Sequence, residues 1–275
     1  MAEAGPLVVI GGGEDKTGDR TILKAVAEAV RGGRLVVATV ASQIPDEYFA
    51  EYRAVFSELG VTDVCELYVK ERREASEPEV LACFEGATGV FFTGGDQLRI
   101  ASQIGDSPVE MAVRSLWLEG GVVAGTSAGA SVMSDVMLIG GASGESHRIG
   151  DLRLSAGLGF ISDVVIDQHF AERGRIGRLI GAVAQNPRML GVGVDENTAF
   201  VLEGRTFRII GAGAVYVVDG TGISHSNLAE GGSEEVLSVY DLRVHVLSAG
   251  DSFDLGPRAP SLGPAPKPDK KRDNN

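Results

Sequence analysis

The sequence predicts an α/β fold: a mostly parallel sheet between helices, with antiparallel strands toward the C-terminus. Three observations carry this. Short apolar runs alternate with helix-period segments over the first half of the chain. Those runs are apolar throughout, not at every second residue, which suits strands covered on both faces. From Thr198 onward short β-runs follow one another with no helical segment between them.

Leu7–Ile10 reads as a buried strand that ends in Gly11-Gly12-Gly13. A helix is expected over residues 17–31, because Ile22, Leu23, Val26 and Val30 share one face. Strands follow at 35–40, 64–69 and 89–92, with helices at 46–59, 78–84, Gln97–Ile104 and 108–119. A fifth strand, 121–124, runs into Gly125-Thr126-Ser127-Ala128-Gly129. Residues 163–166 and Leu190–Val194 read as further buried strands on either side of a helix at 172–184. The runs at 199–202, 206–210, 215–218, 236–240 and 244–247 are expected as antiparallel edge strands and hairpins. A single domain is expected over residues 1–256. Residues 257–275, with five prolines and charged ends, are expected to be a disordered tail.

The chain has 275 residues, 44% of them hydrophobic, and a net charge of −13. The last 19 residues carry five basic and two acidic groups, so the body stands at −16. Such a body repels nucleic acid and anionic membrane, and neither is expected as a partner. No run reaches the roughly 18 apolar residues a membrane helix needs. No basic segment precedes the first strand, so no signal peptide is expected, and the cytoplasm is the expected compartment. Cys65 and Cys83 form no metal or disulfide spacing and read as packing residues.

Gly125 to Gly129 fits Gly-x-Ser-x-Gly after a buried strand, the local recipe for an exposed serine nucleophile on a sharp strand-to-helix turn. The N–H groups of Ser127 and Ala128 are expected to face a developing oxyanion. The competing reading is a Gly/Ser turn capping a buried helix. Nucleotide readings fail. Gly-x-Gly-x-x-Gly from Gly11 would need glycine at Lys16, and Asp19-Arg20 stand where a phosphate loop needs Lys-Ser/Thr.

A serine nucleophile needs a base, and the base needs an orienting carboxylate. Of His147, His169, His225 and His245, only His169 follows a buried strand at its carboxyl end, where open α/β sheets place their sites. The acid is expected from a neighbouring strand end. Asp195 and Glu196 both qualify, alternation allows only one to face the histidine, and Asp167 is a third candidate. Thr93-Gly94-Gly95-Asp96-Gln97, at another strand end, can supply further oxyanion donors.

Together these segments resemble the cyanophycinase family, serine peptidases related to peptidase E. The resemblance rests on Phe92-Thr93-Gly94-Gly95-Asp96-Gln97, Gly125-Thr126-Ser127-Ala128-Gly129-Ala130, Asp167-Gln168-His169-Phe170 and Asp195-Glu196-Asn197-Thr198-Ala199, and runs from about Pro6 to Gly250. It implies a class I glutamine amidotransferase-like (flavodoxin-like) fold and a homodimer. It implies Ser127 as nucleophile, His169 as base and Glu196 as orienting acid, with Ala128 and Gly95 forming the oxyanion hole. No metal or cofactor is required.

The implied substrate is cyanophycin, a polyaspartate backbone with arginine on each side-chain carboxyl, cut to β-aspartyl-arginine. Arg173, Arg175 and Arg178 are then expected to hold substrate carboxylates. Asp167 and Gln168 are expected to pair with the substrate's arginine head, and Gln97 to fix its main chain. Glu145 and His147, in the glycine-rich 140–151 segment, could also face the substrate. Four alternatives compete: a peptidase E-like aspartyl or isoaspartyl dipeptidase using the same triad, an α/β-hydrolase esterase, an amidotransferase and a non-catalytic relative. The esterase lacks a histidine before Ser127, and the amidotransferase would want cysteine at the elbow.

Overall fold

The computed structural model describes residues 4–141, 143–144 and 146–263. In chain order the elements are β1 (Leu7–Ile10), α1 (Thr21–Val30), β2 (Arg34–Ala38), α2 (Pro45–Glu58), β3 (Val64–Leu67), α3 (Pro78–Leu81), β4 (Ala87–Phe92), α4 (Gln97–Ile104), α5 (Pro108–Leu118), β5 (Val122–Thr126) and α6 (Ala128–Ser131). There follow β6 (Val136–Gly140), β7 (Arg153–Ala156), β8 (Val164–Gln168), α7 (Ile176–Gln185), β9 (Leu190–Val194), β10 (Thr198–Glu203), β11 (Thr206–Gly211) and β12 (Val215–Asp219). The chain closes with β13 (His225–Ser226), β14 (Val239–Tyr240), β15 (Arg243–Leu247), β16 (Ser252–Asp254) and β17 (Ala259–Ser261).

Among the described residues, nine strands form the main sheet in the order β17-β16-β11-β10-β1-β5-β4-β2-β3. The run from β1 to β3 is parallel, and β10, β11, β16 and β17 extend it antiparallel. β1 explains why its sequence does not alternate. Leu7 and Val9 enter one core cluster while Val8 and Ile10 enter another on the opposite face. The expected helix face of α1 is buried as read: Ile22, Leu23, Val26 and Val30.

β8 and β9 do not join the main sheet. They form a second sheet, β15-β12-β9-β8, parallel only between β8 and β9. A third core cluster of Leu138, Val165, Phe170, Leu179 and Val183 packs α7 against it. The carboxyl ends of β1, β4 and β5 from one sheet, and of β8 from the other, supply residues that line one cavity, and the end of β9 places Glu196 against His169 at its edge.

Several boundaries differ from expectation for local reasons. α1 starts at Thr21, not residue 17, because the Asp15 carboxylate accepts the N–H groups of Thr17, Gly18 and Arg20, and Arg20 adopts φ 50°. Those bonds hold the Asp15 carboxyl down at about 2. α7 starts at Ile176, because Asp195 Oδ1 takes the N–H of Ala171 and holds the preceding residues in a turn. Cys65 and Cys83 are not separate packing residues: they are joined as a disulfide between β3 and the turn after α3. The expected tail begins too early. β17 pairs with β16, and Arg258 reaches the buried Asp219 at 2.7 Å, so the segment through Ser261 is tied to the sheet. Residues 264–275 lie outside the described residues.

Candidate active site

β5 is fully buried through Thr126, and Ser127 then takes φ 54° and ψ −111°, a strained turn that lifts its side chain out of the strand. Only one helical turn follows, α6. His169 stands at the end of β8 with φ 48°. Its Nε2 lies 2.9 Å from Ser127 Oγ, and its Nδ1 lies 2.5 Å from Glu196 Oε1. With Nδ1 protonated and donating to Glu196, Nε2 is left as acceptor for the serine hydroxyl.

The Asp195/Glu196 choice has a geometric answer. Asp195 is buried and turned away, its two oxygens accepting the N–H groups of Ala171 and Ala214 at 2.9 and 3.0 Å. Glu196 occupies the opposite side and reaches the imidazole. Asp167 does not approach it, being taken by arginines as described below.

The glycines after β1 mount this arrangement. A Cβ on Gly12 would lie 2.3 Å from His169 Cε1, and one on Gly13 would lie 2.8 Å from Glu196 Oε2. Gly11 O accepts the His169 N–H at 2.8 Å and Gly12 O accepts the Asn197 N–H at 2.8 Å. These glycines, which the sequence places at a strand end, let the backbone approach the histidine and the glutamate closely.

Of the two elbow N–H groups expected at an oxyanion, Ser127's is used elsewhere. It donates to Ile10 O at 3.0 Å, continuing the sheet. Ala128's N–H takes no acceptor among the described residues, and neither does that of Gly95. Gly94 faces the serine, with a Cβ built on it 3.4 Å from Ser127 Cβ.

Ser127 and His169 open into a cavity of about 680 Å³, also lined by Gln97, Gln168, Arg173, Arg175 and Arg178. Gln97 donates its amide to Leu138 O at 2.8 Å. Asp167 needs correction. Its carboxylate is fully buried and saturated: Arg175 Nη1 lies 3.1 Å away, Arg178 Nε 2.6 Å, and Arg178 Nη2 also bonds to it. A buried carboxylate that accepts from two guanidiniums and from the Gln168 N–H has no acceptor position left for a substrate arginine. Gln168 Oε1 likewise accepts from Arg175 Nη1 at 2.7 Å.

The arginine cluster therefore holds one net positive charge at its core, and exposed Arg173 adds a second at the cavity wall. Burial lowers the Arg175 pKa to about 10, Asp167 opposing the shift, so it stays charged at neutral pH. His147 is buried with neither ring nitrogen bonded to any described residue, its ring against Gly181 of α7, outside the residues that line the cavity. Glu145 lies outside the described residues.

One cavity residue escaped the sequence reading. Glu14 is buried beside the serine strand, accepting from Thr126 Oγ1 at 2.6 Å and from the Tyr52 hydroxyl. The available signal was a carboxylate directly after three glycines at a strand's carboxyl end.

The profile of peptidase family S51 matches residues 7–210. A cyanophycinase of Nostoc sp. is 41% identical over 254 residues, covering 90% of this chain and 85% of the relative. One from Geminocystis herdmanii is 36% identical over 261 residues, covering 94% and 96%. Among solved structures, a peptidase from an acI-B1 Actinobacterium superposes with a TM-score of 0.68 at 21% identity, covering 92% of this chain and 97% of its own, and supports the fold. With the family profile covering about three quarters of the chain, including the strand ends that carry Ser127, His169 and Glu196, the chain belongs to peptidase family S51.

Proposed function

We propose that this chain is a serine exopeptidase that hydrolyses cyanophycin to β-Asp-Arg dipeptides through an acyl-enzyme. The observation that carries the chemistry is the Glu196–His169–Ser127 relay opening into an arginine-walled cavity. The observation that carries the substrate is the similarity to cyanophycinases over nine-tenths of the chain.

In this reading His169 Nε2 takes the Ser127 proton as Oγ attacks the scissile carbonyl carbon. The imidazolium is held by Glu196. The N–H groups of Ala128 and Gly95 receive the oxyanion, each such donor contributing about a hundredfold or more in rate. His169 then protonates the leaving amine as the C–N bond breaks, and it activates the water that hydrolyses the ester. Arg173 and the Arg175–Arg178 cluster hold substrate carboxylates. Gln97 fixes the main chain, and Gln168, whose Oε1 is taken by Arg175, supports the arginine cluster in place of pairing with the substrate's arginine head.

Incubating the purified chain with cyanophycin, followed by product mass and linkage analysis, tests the proposal. β-linked Asp-Arg is expected from the wild type and none from Ser127→Ala. α-linked aspartyl dipeptides as the sole substrates would overturn it.

Two further parts of the proposal concern the chain's setting. We place it in a homodimer, supported by exposed Val244 and Val246 on edge strand β15 and Tyr240 beside it. Light scattering should give twice the chain mass, and Val246→Lys should halve it. We place it in the cytoplasm, where reducing thiols would open the Cys65–Cys83 disulfide that the structure contains. Alkylation during lysis should then modify both cysteines; a protected pair would place the chain in an oxidising compartment.

A further inference from the structure

The cavity is lined by both signs of charge. Arg173 and the Arg175–Arg178 cluster line the part next to β8 and α7, and Glu14 lines the part next to β5 and α2, where it meets Thr126 and Tyr52. Glu14 is 6% exposed, yet its donors are both neutral hydroxyls, those of Thr126 and Tyr52. A carboxylate has about four acceptor positions, so two remain unfilled. A buried anion without a cation is costly and is normally compensated by one.

No basic side chain among the described residues supplies that cation. Lys16, on the same segment and lining the same cavity, is paired with Glu51 at 2.7 Å and lies over the Tyr52 ring at 4.4 Å. The Tyr52 phenol is itself buried, and burial followed by the charge of Glu14 pushes its pKa well above 10. It therefore stays a donor and fixes the carboxylate's orientation. The other acids near the catalytic residues are committed, Asp167 to two arginines and Glu196 to His169. Half-buried Tyr48 of α2 lines the same cavity and offers a face on which a planar cation stacks.

We propose that Glu14 is the residue that accepts the cationic head of the substrate's side chain, and so sets the preference for a guanidinium. This rests on the peptidase reading above and replaces Asp167 in the role the sequence suggested for it. The substrate is then held at both ends, its carboxylates by the arginine wall and its guanidinium by Glu14, with the scissile carbonyl between them at Ser127.

The test is calorimetric binding of β-Asp-Arg and β-Asp-citrulline to the full chain carrying Ser127→Ala. Citrulline keeps the shape and loses the charge. The arginine ligand is expected to bind at least about 30-fold more tightly. Adding Glu14→Gln should bring that ratio to about one while leaving citrulline affinity within about twofold. Glu14→Asp, which keeps the charge, should retain most of the preference.

Equal weakening of both ligands by Glu14→Gln would overturn the proposal and make Glu14 a support for the Thr126–Ser127 turn. So would an unchanged ratio. Should the glutamine variant not fold, a ratio near one in Ser127→Ala alone overturns it equally. Failure of the polymer reading looks different. A wild type that leaves cyanophycin intact while the Ser127→Ala chain shows a Glu14-dependent arginine preference loses the polymer and keeps the subsite.

Discussion

Asp167→Asn separates an internal role for this carboxylate from a role in gripping substrate. In the structure its side chain is 1% exposed and those of Arg175 and Arg178 are 8% exposed, so solvent screens none of the three well. Asparagine preserves the shape but removes the charge. Its oxygen can accept from one guanidinium, while its amide N–H groups face the other. The cluster goes from one net positive charge to two. Removing one partner of a buried ion pair costs about 3–5 kcal/mol, chiefly because the remaining charge is left uncompensated. At roughly 2 °C per kcal/mol for a chain of this size, the melting temperature should fall by about 6–10 °C. Calorimetric melting and urea midpoints measure it, and KM on arginine- and citrulline-bearing substrates should rise together. A variant that melts within about 1 °C of wild type and loses affinity only for the arginine substrate would refute this reasoning.

Glu196→Gln should lower kcat by about 10³- to 10⁴-fold, since the amide no longer enforces the Nδ1–H tautomer or steadies the imidazolium. Its melting temperature should change little, because the side chain is 41% exposed; a loss under tenfold would remove Glu196 from the relay. Gly12→Ala should cost at least about a hundredfold in kcat by displacing the His169 ring. Gly32→Ala, equally at positive φ but with nothing within 4 Å of the added carbon, should strain the fold without touching activity. Burial holds the His147 pKa below 6.5 against the pull of Asp151. The unfolded chain therefore takes up a proton below pH 6.5 that the folded chain refuses, and stability falls as pH drops through that range. Melting curves of His147→Phe should fall less steeply between pH 6.5 and lower pH than those of the wild type; parallel curves would contradict it.

Much of this site was legible because its residues sit at strand ends. Ser127 and His169 follow apolar runs whose burial is written in consecutive valines, alanines and isoleucines, and a strand's carboxyl end is a place periodicity can find. The Asp195/Glu196 choice was not legible. It depends on which of two adjacent side chains meets Ala171 and Ala214, residues brought together only by the second sheet. Asp167 was misread for a related reason. An acid inside an otherwise apolar strand signals a buried partner, but the partners, Arg175 just before α7 and Arg178 within it, belong to a helix whose start the sequence placed too early. Glu14 had no periodic signal. The tail was misread from its prolines, although Arg258 finds a buried carboxylate in Asp219.

The bonds from Gly11, Gly12 and Asp15 to His169 and Asn197 have a consequence for how the protein comes into being. Asp15 and Asn197 are 182 residues apart in the chain, so the Ser127–His169–Glu196 arrangement cannot form until the chain has been synthesised past Asn197 and its first strand has met the later ones. Contacts of such sequence separation are slow to close. A growing or partly folded chain has Ser127 long before it has His169 and Glu196 aligned to it. The order of assembly thus leaves Ser127 without His169 and Glu196 beside it for much of synthesis.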